Sequence, residues 1–358
     1  MNNVFIIAEA GVNHNGSLDM ALKLIDVAAK ADVDAVKFQT FKADKVVSRF
    51  ASKAEYQTRN TGTAESQLEM VKKLELNVEQ HMVLAEHCLE HGIEFMSTPF
   101  DLDSVDFLAN VVNVSRLKIP SGEITNGLIL LKFAQAGKPL ILSTGMSTLD
   151  EVETALGVLA YGFINSKEKP SMEAFKEAYL SNKGQALLKE KVSLLHCTTE
   201  YPAPFDEVNL KAMDTLKEKF SLPVGYSDHT MGIAVPIAAV ARGAVIIEKH
   251  FTLDRNLLGP DHKASLEPNE LKQMVSLIRQ IELTLGNGVK QPTASELKNK
   301  AVARKSLVAT REIKQGELFT EDNIAAKRPG NGIPPIYYWD VLGKIALRDY
   351  SIDEMVEL

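Results

Sequence analysis

Hydrophobic positions along the chain fall into two alternating patterns. Short aliphatic, β-branched runs stop abruptly at clusters of Gly, Ser, Thr and charged residues. They are VFIIAEAG (4–11), AVKFQTF (35–41), EFMSTPF (94–100), RLKIPSGE (116–123), PLILSTGM (139–146), VSLLHCTTEY (192–201), PVGYSDHT (223–230) and VIIEKHFTL (245–253). Between them apolar residues recur three and four apart, as at Leu18, Ala21, Leu22, Ile25, Ala28 and Ala29. This spacing predicts helices over 17–31, 66–91, 126–136, 148–160, 209–220, 231–242 and 268–285. Near-continuous apolar strands alternating with helices indicate a parallel sheet covered by helices. Eight such units fit a (β/α)8 TIM barrel, a fold of about 250 residues. The alternative, a doubly wound open sheet, expects a G-x-G-x-x-G turn after its first strand, where this chain has GVNHNG (11–16). An open sheet also gathers its functional side chains at one switch point, whereas a barrel collects all eight strand ends around one mouth. Residues 42–65 and 161–190 read as long loops.

The pattern changes after Gly286. Residues 287–300 are polar, contain Pro292 and lack an apolar period, so they read as a linker between a 1–286 barrel and a 301–358 module. That module has short strand-like runs (SLVAT, Ile345–Leu347) and turn signals in QGE and PGNG. It is small for an independent core and is expected to pack on the barrel or on a partner subunit.

Composition narrows the class. The 358 residues include 40 Lys+Arg against 47 Asp+Glu, a net charge of −7, with 45% hydrophobic residues and no long basic run. This is an ordinary globular composition and argues against a nucleic-acid or anionic-membrane partner. Cys88 and Cys197 cannot form a disulfide framework and suit a reducing compartment. With no run of roughly 20 apolar residues, the expectation is a cytoplasmic enzyme.

The chemistry sits at the strand tips. The seventh run ends Ser227-Asp228-His229 and the eighth Glu248-Lys249-His250. Alternation places Glu248 and His250 on one face and Lys249 on the other. Two imidazoles on adjacent strand ends, with a carboxylate and water, suit a borderline divalent ion such as Mn2+, Fe2+, Co2+ or Zn2+. Lys37, Ser97-Thr98, Lys118, Ser121, Ser143-Thr144, Thr198-Thr199 and Ser227 could together hold a phosphate or carboxylate. Glu9, Glu123, Glu200, Glu248 and Asp261 could accept from the hydroxyls of a sugar-like substrate. HCLEH (87–91) matches a zinc-protease pattern, but it sits at a helix end before Gly92, away from the strand tips. Cys197 has no distinct base partner and reads as core.

In this order AEAGVNHNGS, VKFQTFKAD, STPFD, KIPSGEITN, LSTGMST, LLHCTTEYPAPF, GYSDHT, IEKHFTLD and GPDHKAS resemble the sialic acid synthase (NeuB) family, and KRPGNG resembles its antifreeze-like module. The resemblance spans essentially the whole chain. It implies a catalytic barrel, a C-terminal antifreeze-like (SAF, β-clip) domain and a domain-swapped homodimer. It also implies condensation of phosphoenolpyruvate with an N-acylated amino sugar. By motif, His229 and His250 look like Mn2+ ligands, and Lys37, Thr98, Lys118, Ser121, Ser143 and Ser227 like the phosphoenolpyruvate set. Glu9, Glu248 and Asp261 look like the groups around the sugar and the reacting atoms. Glu123, Thr199 and Tyr201 are further substrate contacts, Thr199 standing where some members have Asn. Arg328 resembles the arginine that crosses the dimer to the acylamino group. N-acetylmannosamine, giving N-acetylneuraminic acid, is the first expectation for the sugar. A 2,4-diacetamido-2,4,6-trideoxymannose, giving legionaminic acid, is the alternative. Rival readings are a Schiff-base aldolase using Lys118 or Lys37 and a non-catalytic sugar-binding protein.

Overall fold

The computed structural model describes residues 3–62, 64–165 and 167–358. The chain divides into two compact units, Met1–Gly286 and Asn287–Leu358.

In the first unit eight parallel strands run in the order β3-β2-β1-β8-β7-β6-β5-β4. They are β1 (Phe5–Gly11), β2 (Ala35–Thr40), β3 (Glu94–Pro99), β4 (Leu117–Ile119), β5 (Leu140–Ser143), β6 (Val192–Cys197), β7 (Val224–Asp228) and β8 (Ile246–His250). The end strands β3 and β4 pack on each other, so the sheet closes into a (β/α)8 barrel. All eight expected strands are present.

Alternation along the strands builds two cores. Outward residues such as Ile6, Ala8, Val36, Phe38, Leu117, Ile119, Leu142, Leu194 and Ile247 join the helix layer. Inward residues Ile7, Ala35, Met96, Ile141, Leu195 and Ile246 plug the barrel axis. Gly225 on β7 leaves room in that plug, because a Cβ there would lie 2.4 Å from the Ile246 carbonyl and 2.7 Å from Leu195.

The helices start where side chains cap them. Ser17 caps Leu18–Lys30, Asn77 caps Val78–Glu90 and Thr148 caps Leu149–Ile164, satisfying backbone N–H groups of the first turn. The two segments expected to be long loops contain helices instead. Residues 42–65 include Ala43–Val46 and Glu55–Thr61, and residues 161–190 hold Met172–Leu180 and most of Asn182–Lys191. Their buried faces are small or absent, with Ala174, Ala178, Gly184 and Leu188 alone in the second pair, so their periodicity is faint in the sequence. Gly157 lets Met172–Leu180 pack closely, since a Cβ there would lie 2.9 Å from the Phe175 carbonyl oxygen.

Within residues 287–300 of the second unit, read as a linker for want of an apolar period, a helix begins instead, Ala294–Ala303, capped by Thr293. None of its residues is buried, which explains the missing signal. Strands β9 (Ser306–Ala309) and β10 (Ile324–Lys327) pair antiparallel, with isolated bridges at Val308–Met355, Ile313–Tyr350 and Leu318–Ile345. Contrary to the expectation from size, this unit has its own core, built on Leu307, Ile313, Phe319, Ile324, Val341, Tyr350 and Val356. No helix among the described residues is long and apolar enough to cross a membrane.

Candidate active site

Period two carries the plug upward into chemistry. Two residues beyond Ile7, Ala35, Met96, Ile141, Leu195 and Ile246 stand Glu9, Lys37, Thr98, Ser143, Cys197 and Glu248 on the same inward faces. Lys118 on β4 and Ser227 on β7 complete the ring. These side chains floor a cavity of about 350 Å³ at the C-terminal ends of the strands. Ser121, Thr199, Tyr201, His229, His250 and Asp261 also line it.

A chain of charges crosses the floor. Lys37 Nζ pairs with Glu9 Oε2 at 2.6 Å, donates to Thr98 Oγ1 at 2.9 Å and lies 3.6 Å from Glu248 Oε2. Lys118 Nζ donates to Ser143 Oγ at 2.7 Å and lies 3.6 Å from Glu248 Oε1. Ser227 Oγ donates to Glu248 Oε1 at 2.8 Å. Burial raises both carboxyls, and their charged neighbours drive them apart. At Glu9 burial outweighs Lys37, and the charge of Glu248 adds to the rise. Burial opposes charge on Glu248 as well, but Lys118, Lys37 and the Ser227 bond outweigh it and hold that carboxyl well below its ordinary range. Glu9 thus holds a proton more readily than Glu248 does, the difference that lets paired acids take separate roles. Burial pulls Lys118 below the ordinary range, whereas Glu248 and Glu9 hold Lys37 above it despite burial. Burial alone raises Asp261 to about 6.

Two imidazoles face each other above this floor. The His229 and His250 rings lie 5.5 Å apart, and Tyr201 packs on both at 4.2 and 5.6 Å. His229 Nδ1–H donates to the Thr198 carbonyl at 2.6 Å, which leaves Nε2 as the ligand atom. His250 Nδ1 is buried with no partner among the described residues. Burial lowers both, His250 strongly, so both are neutral and ligand-competent. This donor set, with Glu248 beside it, fits a borderline divalent ion.

Gly145 joins the mouth's other side. Its N–H donates to Ser121 Oγ, and a Cβ would fall 2.5 Å from Thr199 Oγ1, 2.8 Å from Ser121 Oγ and 2.9 Å from Cys197 Sγ. Cys197 therefore borders the cavity, although it reads as core. Thr199 Oγ1 is buried without a partner among the described residues.

Alternation sorts the hydroxyl pairs. Thr98, Ser143 and Thr199 line the cavity. Ser97 instead bonds Thr40, Thr144 donates to the Leu195 carbonyl and Thr198 donates to the Glu207 carbonyl. Glu123 does not line the cavity. The chain enters a 3-10 turn at Ser121, and the Glu123 carboxylate accepts from Asn126 instead. Glu200 pairs with Arg59 at the surface. Arg328 belongs to the second unit, where its Nε donates to the Ala303 carbonyl. The sequence reading missed the wall contributed by residues 41–74. Phe41, Val46, Val47, Tyr56, Met70, Val71 and Leu74 line the cavity, Tyr56 packs 5.0 Å from Tyr201, and Asn60 Nδ2 donates to the Pro260 carbonyl. No local pattern marked Tyr56 and Asn60, because their partners Tyr201 and Pro260 lie more than a hundred positions away.

The NeuB family matches residues 24–290 and the SAF domain matches residues 304–357. The N,N'-diacetyllegionaminic acid synthase of Campylobacter jejuni is 52% identical over 99% of both chains. The enzyme of the same name from Legionella pneumophila is 48% identical over 95% of this chain and 89% of its own. The crystal structure of the N-acetylneuraminic acid (sialic acid) synthetase from Leptospira borgpetersenii, in complex with citrate, is 38% identical. It superposes with a TM-score of 0.68 over 83% of this chain and 90% of that one.

Proposed function

The chain belongs to the NeuB family, and from that premise we propose that it condenses phosphoenolpyruvate with an N-acylated amino sugar and water to give a nonulosonic acid and phosphate. The observation that carries this reading is the floor itself, where two lysines, each hydrogen-bonded to a hydroxyl, flank two carboxyls whose proton affinities are pushed in opposite directions, beside two imidazoles that burial keeps from protonating.

Lys37 with Thr98, and Lys118 with Ser143, donate to the phosphate and carboxylate of phosphoenolpyruvate and offset their charge. Its C3 attacks the aldehyde carbon of the open-chain sugar, leaving an oxocarbenium-like centre at C2. Protonated Glu9 gives its proton to the developing alkoxide. Ionised Glu248 stabilises the cationic centre and takes a proton from the water that adds there. The C2 hydroxyl then gives its proton to the departing phosphate as the C2–O bond to phosphate breaks and the C2 carbonyl forms. His229 and His250 would hold Mn2+ or another divalent ion, which when bound supplies Lewis-acid polarisation of the aldehyde oxygen. Arg328 of a second copy reaches the acylamino group in a domain-swapped homodimer.

The sugar expectation is revised. Relatives 52% and 48% identical carry the legionaminic name, so 2,4-diacetamido-2,4,6-trideoxymannose takes precedence over N-acetylmannosamine. The wall of Phe41, Val46, Val47, Met70, Val71 and Leu74 supports it. A C6 methyl and two acetyl methyls find apolar contact there.

Phosphate release with each sugar, phosphoenolpyruvate and Mn2+ tests both levels. The diacetamido sugar is expected to show a kcat/KM higher by about tenfold or more. Preference for N-acetylmannosamine would reverse the sugar assignment. Burial-lowered Lys118 keeps a Schiff-base aldolase as the second reading. A borohydride-trapped pyruvate adduct without phosphate release would establish it.

A further inference from the structure

The HCLEH motif finds no use in the mouth, yet the fold gives it a third partner. His87 lies in the last turn of Val78–Glu90 and His91 is that helix's C-cap, so the two imidazoles stand one turn apart on one face with ring centroids 4.3 Å apart. Asp26 comes from the neighbouring helix Leu18–Lys30. Its Oδ1 lies 2.8 Å from His87 Nε2 and 3.4 Å from His91 Nε2. One ligand atom from each of the three residues lies within 4.8 Å of the others.

The hydrogen bonds behind these atoms fix which nitrogens face inward. His91 Nδ1–H donates to the His87 carbonyl at 2.9 Å, which turns the lone pair of Nε2 toward Asp26. Nε2 and the Asp26 oxygen thus face each other across a gap that a metal cation can bridge. His87 Nδ1 faces Glu90 Oε2 at 3.7 Å, so a carboxylate also backs the second imidazole. The cluster is partly open to solvent, which leaves a path for an ion and for water to complete its shell.

We propose that Asp26, His87 and His91 form a second divalent-metal site, on the outer helix layer and separate from the mouth, that takes a borderline ion such as Zn2+ with water as the remaining ligand. Two imidazoles, one carboxylate and water are the donor set such ions favour. The ion replaces the His87 Nε2 proton now shared with Asp26 and ties Leu18–Lys30 to Val78–Glu90. Those helices follow β1 and precede β3, so the bound ion stiffens the scaffold around β2.

The test uses the full chain, stripped of metal by a chelator and titrated with Co2+ and Zn2+. A His229→Ala background removes the mouth pair, so the outer site is read alone. The expected result is a Co2+ d–d absorption band in H229A that is lost in H229A/H91A and in H229A/D26N. Zn2+ affinity should fall at least about tenfold in both double variants. Zn2+ should raise the thermal midpoint of H229A but of neither double variant. Turnover of the single variant H91A under saturating Mn2+ should equal that of the unchanged chain. Co2+ and Zn2+ titrations of the double variants that match H229A would overturn the proposal, as would the absence of any band in H229A.

Discussion

His14 is a fully buried imidazole in the turn after β1, with Nδ1 accepting from the Gly16 N–H and Nε2 lacking a partner among the described residues. Burial, with smaller contributions from His81 and His262, lowers it from the ordinary 6.5 to about 4. A histidine lowered on folding stabilises the fold fully above its unfolded value. That stability is lost as pH falls from about 6.5 to about 4, because the unfolded chain takes up the proton first. His14 should therefore account for about 2–3 kcal/mol of the stability lost between pH 7.5 and 4.5. His14→Asn keeps an acceptor for Gly16 and should flatten the pH dependence of urea-unfolding stability by that amount. Parallel pH curves for the two proteins would rule the idea out. At this scale the sequence shows which side chains reach the mouth only where a strand stays regular. Thr98 and Ser143 follow from period two, and so does the outward turn of Lys249. Glu123 does not, because a 3-10 turn replaces the alternation at Ser121 and sends its carboxylate to Asn126.

Strands β7 and β8 carry the paired imidazoles, and a second pair on their outer faces holds these strands in register. Lys249 and Asp228, both 0% exposed, meet at 2.5 Å, and Lys249 also donates to the Thr230 carbonyl. Asp228 further accepts from the Tyr226 hydroxyl and from the Thr230 N–H and hydroxyl. Lys249→Met would leave a buried carboxylate without its cation, which costs about 3–5 kcal/mol. The further change Asp228→Asn removes that charge yet retains an acceptor, so the double variant should recover most of the loss in urea unfolding. A Lys249→Met protein within about 0.5 kcal/mol of the parent would mean the pair contributes little. The eight strands were legible because a plug, an outward core and polar tips impose one pattern on each. The helices within residues 42–65 and 161–190 were not, because they bury little and their apolar period is correspondingly weak.

At the scale of the whole molecule, the chain has two separately compact units, and the proposed chemistry draws on both. The barrel supplies the charges and imidazoles, while Arg328 stands on the unit that follows Gly286. Whether that arginine serves its own barrel or a second copy's can be decided by mixing two inactive proteins. Arg328→Ala leaves an intact barrel, and His229→Ala leaves an intact arginine. If the arginine acts across a two-fold dimer, each mixed dimer contains one barrel with every working part and one with none. Random exchange makes half the dimers mixed, so activity should return to about a quarter of the unchanged protein's. If the arginine serves its own barrel, no subunit in the mixture is complete and activity stays at the level of the separate variants. Phosphate release measured before and after subunit exchange separates the two outcomes. The −7 net charge bears on the same geometry. Lys37 and Lys118 place two ammonium groups among Glu9, Glu248 and Asp261 in the cavity, so an anionic substrate finds cationic donors there despite the net negative charge. If Arg328 acts at the sugar end as proposed, it adds a third cation there, and its loss should raise the KM for the amino sugar more than that for phosphoenolpyruvate.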